Sequence, residues 1–408
     1  MTTFDVAVVG ASTAGCTAAR LFGKRGLKVA LLEQRPDPDA YKVTCTHAIL
    51  SSASPTIDRL GLAPLLAERG AIRIHGDGWT PYSGWLRPPD DAPRGWGVTR
   101  RTLDPMLRKL AADTPGVELM TGRNVTGLLS DERGRPNGVE AATRDGEPAK
   151  IRARLVVAAD GRHSTVARLA GVRGRVKPNN RFAYFAYWRG VRPQLERARV
   201  WLLDPDGAAH FPNEDDIAVL VAVAHRSRLQ EFRDDLEGVY GRWFDDLEDA
   251  PDLSGAERIS KVLGVLDHEN VFRPAARPGL ALVGDAAVAA DPLWGVGISW
   301  AFQSGEWLVQ ETADALSAGA SGDLDRALNR YRRAVALRLG LHHVAIAEYS
   351  SGRKLSAPER TMSRAIPHEP RLVRAMDDVA SRRHLPLRML DPRLAPYTVR
   401  GLARSVLA

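Results

Sequence analysis

The apolar positions change period along the chain, and the changes divide it into parts. The first 33 residues open with the apolar, valine-rich run Val6–Val9, pass through a turn at Gly10–Gly15, and resume as an apolar run at Val29–Leu32. Continuous apolar runs are how strands covered on both faces read, so this stretch predicts strand, helix (about 14–25, stopping at Gly26) and strand, a βαβ unit. Leu103, Met106, Leu107 and Leu110 share one face of a helix predicted over 99–113, and strands follow at 117–120, 125–129 and 151–159. From about 175 to 270 the period drops to two. Phe182, Tyr184, Ala186 and Trp188 share one face of a strand, and 200–203 and 217–224 supply others, which predicts a separate antiparallel sheet. Leu280–Val283 restores the buried-strand pattern, and the segment after Gly297 reads as helix. Leu324, Leu328, Tyr331, Val335 and Leu339 then continue as an amphipathic helix. The stretch from Trp79 to Trp96 has no clear period and predicts a loop over an entrance.

At 408 residues the chain holds two or three domains, or one large α/β domain with an insertion. With no internal repeat and no long linker, the parts interleave: 1–174 begins a nucleotide-binding type of fold, 175–270 is inserted, 271–320 completes the first part, and 321–408 is helical. A content of 44% hydrophobic and 26% charged residues excludes disordered, collagen-like and coiled-coil classes. Two cysteines, Cys16 and Cys45, exclude a disulfide scaffold and a zinc cluster, and suit a reducing, cytoplasmic compartment without a metal site. No secretory signal or membrane span is expected, because no apolar run approaches about 18 residues. The net charge is +8, and residues 325–408 hold 17 Lys and Arg against 7 Asp and Glu. Those arginines are scattered as on a solvated helical surface, so no nucleic-acid partner is expected. An acidic carrier protein or a phosphate-bearing ligand is the kind of partner such a surface attracts.

Three segments carry candidate chemistry. In Gly10-Ala11-Ser12-Thr13-Ala14-Gly15 a strand feeds a helix, and Glu33 ends the next strand. Gly10 permits the tight turn, Gly15 permits close helix packing, the helix N-terminus offers N–H groups to a pyrophosphate, and Glu33 accepts from a ribose diol. Ser12 stands where such turns prefer glycine. In the second segment, Val157-Ala158-Ala159-Asp160-Gly161, a buried strand ends in an acid, and Ser164 is placed to cap the next helix. The third runs from Gly279 through Gly284-Asp285 to Asp291-Pro292-Leu293-Trp294-Gly295-Val296-Gly297. Its Asp285 suits a polyol, and the helix it opens presents N–H groups to an electron-rich ring.

Together these segments resemble the flavoprotein monooxygenases of the para-hydroxybenzoate hydroxylase type, related to geranylgeranyl reductases and flavin-dependent halogenases, across roughly the first 310 residues. The resemblance implies a Rossmann-like α/β FAD-binding domain, an inserted antiparallel substrate sheet and a C-terminal helical segment. It assigns Gly10, Ser12, Ala14, Gly15, Glu33 and Gln34 to the ADP half of FAD, Arg100 to the pyrophosphate, and Val125 to the adenine. Asp160 would serve FAD and the nicotinamide cofactor, Asp285 the ribityl chain, and Pro292, Gly295, Val296 and Gly297 the ring. Ala167 stands where the family often carries an arginine, and the Trp-x-Trp-x-Ile-Pro signature of tryptophan-type halogenases is absent, which disfavours halogenation. The inserted sheet would roof the ring, with Tyr184, Trp188, His210 and His47 as candidate substrate contacts. The implied activity is an FAD-dependent monooxygenase, a hydroxylase or epoxidase, that uses NADPH or NADH and O2 on an aromatic or alkene-containing small molecule, as a tailoring step in secondary metabolism. The alternatives are a geranylgeranyl-type reductase and a carrier-docking protein with structural FAD. No obligatory catalytic side chain is assigned, since the cofactor carries the chemistry.

Overall fold

The computed structural model describes residues 3–143, 145–193, 196–319 and 321–407. Strand β1 (Thr3–Val9), helix α1 (Thr13–Gly23) and strand β2 (Val29–Leu32) form the expected βαβ unit, with Val8 opposite Leu31 in parallel register. On its other side β1 pairs in parallel with β4 (Pro148–Ala158), which in turn pairs in parallel with β9 (Leu280–Leu282). Antiparallel strands Asn124–Ser130 and Pro136–Ala142 extend this sheet of eight strands. Three neighbouring strands therefore end side by side at the three candidate segments, and in such sheets ligands bind beyond the carboxyl ends.

A second sheet of ten strands carries β5 (Arg181–Arg189), β8 (Ile217–His225), β7 (Gly207–Pro212) and β6 (Arg197–Leu202) in that spatial order, all antiparallel neighbours. It continues into β3 (Ile72–Thr80), which runs parallel to β6, and then into Gly95–Gly97 and Ala48–Ile49. The sheet thus draws on residues 48–97 as well as on the 175–270 interval. The stretch from Trp79 to Trp96 is not a simple loop: it contains the end of β3 and the strands Gly84–Leu86 and Gly95–Gly97. Its period is hidden because this end of the sheet is covered on both faces and is rich in glycine.

Helix α2 (Arg100–Ala112) packs on α1, and the long helix α3 (Gly297–Ala318) crosses α1 where side chains are smallest. A Cβ on Gly305 of α3 would lie 2.9 Å from the Ala14 carbonyl oxygen, and one on Gly15 would lie 1.8 Å from that of Gly10. Helix α4 (Ser321–Tyr349) lies against α3 and is tied to the first sheet by the buried Tyr331 hydroxyl, which donates to the Leu282 carbonyl at 2.7 Å. Helices α5 (Ala357–Ala365) and α6 (Pro370–Ala380) with the turn Pro386–Leu390 close the C-terminal part over the second sheet. No helix among the described residues is long and apolar enough to cross a membrane.

One buried ion pair joins the second sheet to the turn before α3. Arg181, at the start of β5, donates from Nε (3.1 Å) and Nη2 (2.9 Å) to one oxygen of Asp291, and both side chains are 1% exposed. The other Asp291 oxygen accepts from Leu293 N–H (2.8 Å), so the same carboxylate shapes the turn that leads to Gly295. Arg181→Met leaves that carboxylate buried and unpaired. We expect it to lower the unfolding free energy by about 3–5 kcal/mol, and the double change Arg181→Met/Asp291→Leu to lower it by less, read by denaturant unfolding.

Candidate active site

The cofactor side is built from backbone first. Gly10 has φ 105°, and a Cβ there would lie 2.5 Å from the Ala159 carbonyl oxygen, so only glycine lets β1 turn beside β4. Ser12 is the N-cap of α1 but its side chain caps nothing; its hydroxyl accepts from Arg100 Nη2 at 2.7 Å. Arg100 Nε meanwhile donates to buried Asp104 at 2.7 Å. Arg100 therefore stands beside the open end of α1. Glu33 braces the turn: its two oxygens accept from Ala11 N–H and Arg35 N–H, each at 3.0 Å, and their remaining lone pairs suit ribose hydroxyls. Gln34 is exposed beside it, and Val125 is buried in the strand next to Arg123, whose N–H donates to the Glu33 carbonyl.

The other two segments close the crevice. Both Asp160 oxygens are engaged by the next helix, accepting from the Ser164 hydroxyl (2.5 Å) and Val166 N–H (3.0 Å), while Ser164 caps that helix at Ala167 N–H. Asp160 thus shapes the wall, a role that differs from a free carboxylate waiting for nicotinamide. Asp285 accepts no hydrogen bond from the described residues, and its ion-pair contact is Lys42 Nζ at 3.6 Å. A Cβ on Gly297 would lie 3.8 Å from Asp285 Oδ1, which puts this carboxylate beside the first residue of α3. Val296, the N-cap of α3, provides no side-chain cap, and Gly295 before it is left-handed at φ 61°, after the turn begun by Pro292. Two uncapped helix ends and an open carboxylate thus face one crevice. That donor and acceptor set fits FAD: the end of α1 would hold the pyrophosphate, Asp285 the ribityl chain and the Gly295–Gly297 turn the ring.

His47 joins this crevice to the second sheet. Its Nδ1 accepts from Arg100 N–H at 2.8 Å, so Nε2 carries the proton and donates to the Tyr187 hydroxyl at 2.5 Å. The Tyr187 hydroxyl in turn donates to the Val43 carbonyl at 2.6 Å. Burial, and then the Arg100 charge, push the His47 pKa down to about 3. Both ring nitrogens of neutral His47 are thus held by protein. The alternation of the 182–188 strand puts Tyr187 on the face opposite Tyr184, but nothing local in the sequence marks it as the partner of His47.

The substrate side departs further from expectation. Tyr184 and Trp188 project to the far face of the second sheet, where Tyr184 stacks on Phe232 at 5.2 Å and Trp188 Nε1 donates to the Tyr240 hydroxyl. His210 is buried, and it alternates along β7 with Phe211, which faces the other way. These three candidates are therefore corrected. The period of two marks alternate faces, but a sheet covered on both sides offers no sequence sign of which face looks inward. On the inward face, Ile74, Val200, Leu202 and Phe211 line a cavity of about 690 Å³. Its floor is Leu293, Trp294 and Gly295, and its far wall is Met362, Ile366, Val373, Met376 and Leu390 from the C-terminal helices. Sequence reading took those helices for a solvated surface. The apolar stripe of α6, with Leu372, Ala375 and Val379 buried, was the signal available.

Residues 3–340 match the FAD binding domain family, and the chain belongs to it. It is an FAD-dependent oxidoreductase. It is 29% identical over 327 residues to the digeranylgeranylglycerophospholipid reductase of Thermoplasma acidophilum, covering 78% of this chain and 80% of that one. It is 28% identical over 339 residues to a menaquinone reductase of Mycolicibacterium smegmatis, covering 79% and 78%. Among solved structures, the myxobacterial chondrochloren halogenase CndH shares the fold, with a TM-score of 0.73, 21% identity and coverage of 93% of this chain and 97% of that one.

Two outcomes test this site. Gly15→Ala drives a Cβ into the Gly10 carbonyl, so the purified variant should lose its bound FAD on gel filtration while the wild type stays yellow. The second concerns pH. Folded His47 takes up a proton only near pH 3, whereas an unfolded imidazole does so below about 6.5. The unfolded chain binds more protons in that window, so the contribution is complete above about pH 6.5 and is lost as pH falls towards 3. Buried His210, pushed down to about 4 by burial and then Arg199, adds to the same loss. Each group contributes a slope of up to about 1.4 kcal/mol per pH unit. Denaturant unfolding at pH 7, 6 and 5 should show this decline, and His47→Gln should reduce its slope.

Proposed function

We propose that this oxidoreductase reduces a carbon–carbon double bond in an elongated, apolar, isoprenoid-type substrate, with NADPH or NADH as the electron source. The observation that carries the reading is the cavity. It begins at the Trp294–Gly295 turn beside the uncapped end of α3 and runs between the second sheet and the C-terminal helices. Its volume of about 690 Å³ is in the range of small-molecule sites, and its methionines adapt to a flexible chain. The two relatives named as reductases support reduction over oxygenation, because their similarity spans nearly four-fifths of the chain.

Bound FAD supplies the two-electron chemistry. The protein's part is positional and electrostatic. The Gly295–Gly297 turn, held by Asp291 and Arg181, sets where a ring and a double bond meet. The open N–H groups of α3 offer partial positive charge to an electron-rich ligand. The apolar walls exclude water from the reacting centre and orient the chain by its shape.

The monooxygenase implied by the sequence resemblance would use the same cavity, and product analysis separates the two. The holoprotein is incubated with NADPH or NADH and geranylgeraniol, under nitrogen and under isotopically labelled oxygen gas. Reduction predicts a product heavier by two hydrogens in both atmospheres and free of label. Labelled oxygen in the product, or no product without oxygen, would contradict it.

A further inference from the structure

Strand β3 runs through the interior of the second sheet, with β6 on one side and the strands Gly84–Leu86 and Gly95–Gly97 on the other. Side chains alternate along it, so Ile74, Gly76, Gly78 and Thr80 share one face, and all four line the cavity. Two of these four positions are glycine. Glycine inside a strand weakens it, because it loses the most chain entropy on folding and offers nothing to pack.

Glycines are tolerated in strands where the backbone turns left-handed, or where another backbone or a ligand comes close. The first cause is absent here: neither Gly76 nor Gly78 has a positive φ. The second is absent as well, since a Cβ built on either residue meets no atom within 4 Å. Gly95 and Gly97 of the same sheet provide the contrast. A Cβ on them would strike the Ile49 and Pro212 carbonyl oxygens, so backbone packing demands those two glycines. Gly76, by comparison, is exposed although its strand is interior to the sheet. Its neighbour across the ladder is Ala198, which adds only a methyl group, and Gly78 lies beside Val200. Ile74 and Thr80 stand about 20 Å apart along the strand at its usual rise, and the wall between them is bare backbone. Of the causes named, only the approach of a ligand is left.

We propose that Gly76 and Gly78 determine the width of the substrate. The bare stretch of β3 admits an apolar segment broader than a straight alkyl chain, one that carries methyl branches, and a side chain at either position narrows the cavity to a straight chain. Recognition at this wall is by shape, with the branches packed on the β3 backbone beside Ala198 and Val200. The inference rests on the cavity being the substrate site, and it is independent of which reaction follows.

The test is equilibrium binding to the oxidised FAD-loaded protein, using 3,7,11-trimethyldodecan-1-ol and dodecan-1-ol below their aggregation limits. The two alcohols have the same main-chain length, and neither has a double bond to be reduced. The wild type should bind the branched alcohol about tenfold or more tightly, the scale that burying three further carbons supplies. Gly76→Val and Gly78→Val should each cut that preference to about threefold or less and change the affinity for dodecanol by less than about twofold. Gly76→Ala should fall between. All three variants should retain FAD and unfold thermally at or above the wild-type midpoint, because the added groups enter open space in an extended strand. A branched-chain preference that survives both valine variants overturns the proposal and leaves the cavity as the binding site. A lowered midpoint in both also overturns it, by assigning the glycines to the strand's own packing. Failure of both alcohols to bind the wild type removes the cavity as the substrate site, and this proposal with it. A protein that shows the preference and its loss, yet leaves geranylgeraniol unreduced, contradicts the proposed reaction and supports the role of the two glycines.

Discussion

The close approach of α1 and α3 is the constraint on which the rest depends. Two helices can bring their amino ends to one crevice only where Cβ atoms are missing, and here they are missing in a connected set. Gly15 lies against the Gly10 carbonyl, Gly305 against the Ala14 carbonyl, and Gly284 with a Cβ position 3.0 Å from the Ala14 methyl. Segments that are some 270 residues apart in sequence thereby touch, and the parallel pairing of β1, β4 and β9 sets their strand ends in one row. Positive helix ends then converge on the same space, which is the electrostatic environment that a pyrophosphate and an electron-rich ring require.

The substrate side is assembled differently. Its walls come from three separate stretches, 48–97, 181–225 and 355–390, joined by polar contacts and by close backbone approaches at Gly95 and Gly97, where a Cβ would lie 2.1 Å from the Ile49 and Pro212 carbonyl oxygens. Arg181 to Asp291 ties the second sheet to the turn before α3, Glu214 to Thr99 ties it to the start of α2, and Tyr187 to His47 ties it to the segment that meets Arg100; each involves a side chain with almost no exposure on at least one partner. Buried ties of this kind are directional, so they fix how the second sheet sits over the Gly295 turn. The apolar walls impose no such direction. They select for shape and exclude water.

What could be read from the sequence follows the same division. The turn at Gly10–Gly15, the strand ends at Asp160 and Asp285 and the helix after Gly297 were legible, because each depends on local backbone chemistry that leaves its mark in adjacent residues. The helices at 13–23 and 100–112 and the strand at 117–120 fall where periodicity puts them. The inward face of the second sheet was not legible, since Tyr184 and Phe185 are equally aromatic and only the packing of Phe232 decides between them. Nor was the role of Asp160, which depends on the hydroxyl of Ser164 turning back to it. The C-terminal wall was missed for a related reason. Arginines such as Arg383 read as solvated when their partners, Asp377, Asp378 and Ser51, are brought together by the fold.

The central claim is that α1 and α3 form one cofactor site, and amide hydrogen exchange with and without added FAD tests it most directly. Protection should rise together in peptides spanning Gly10–Thr17 and Gly295–Ala301, at the same FAD concentration. Protection confined to the first turn, with exchange at the amino end of α3 unchanged, would contradict the account.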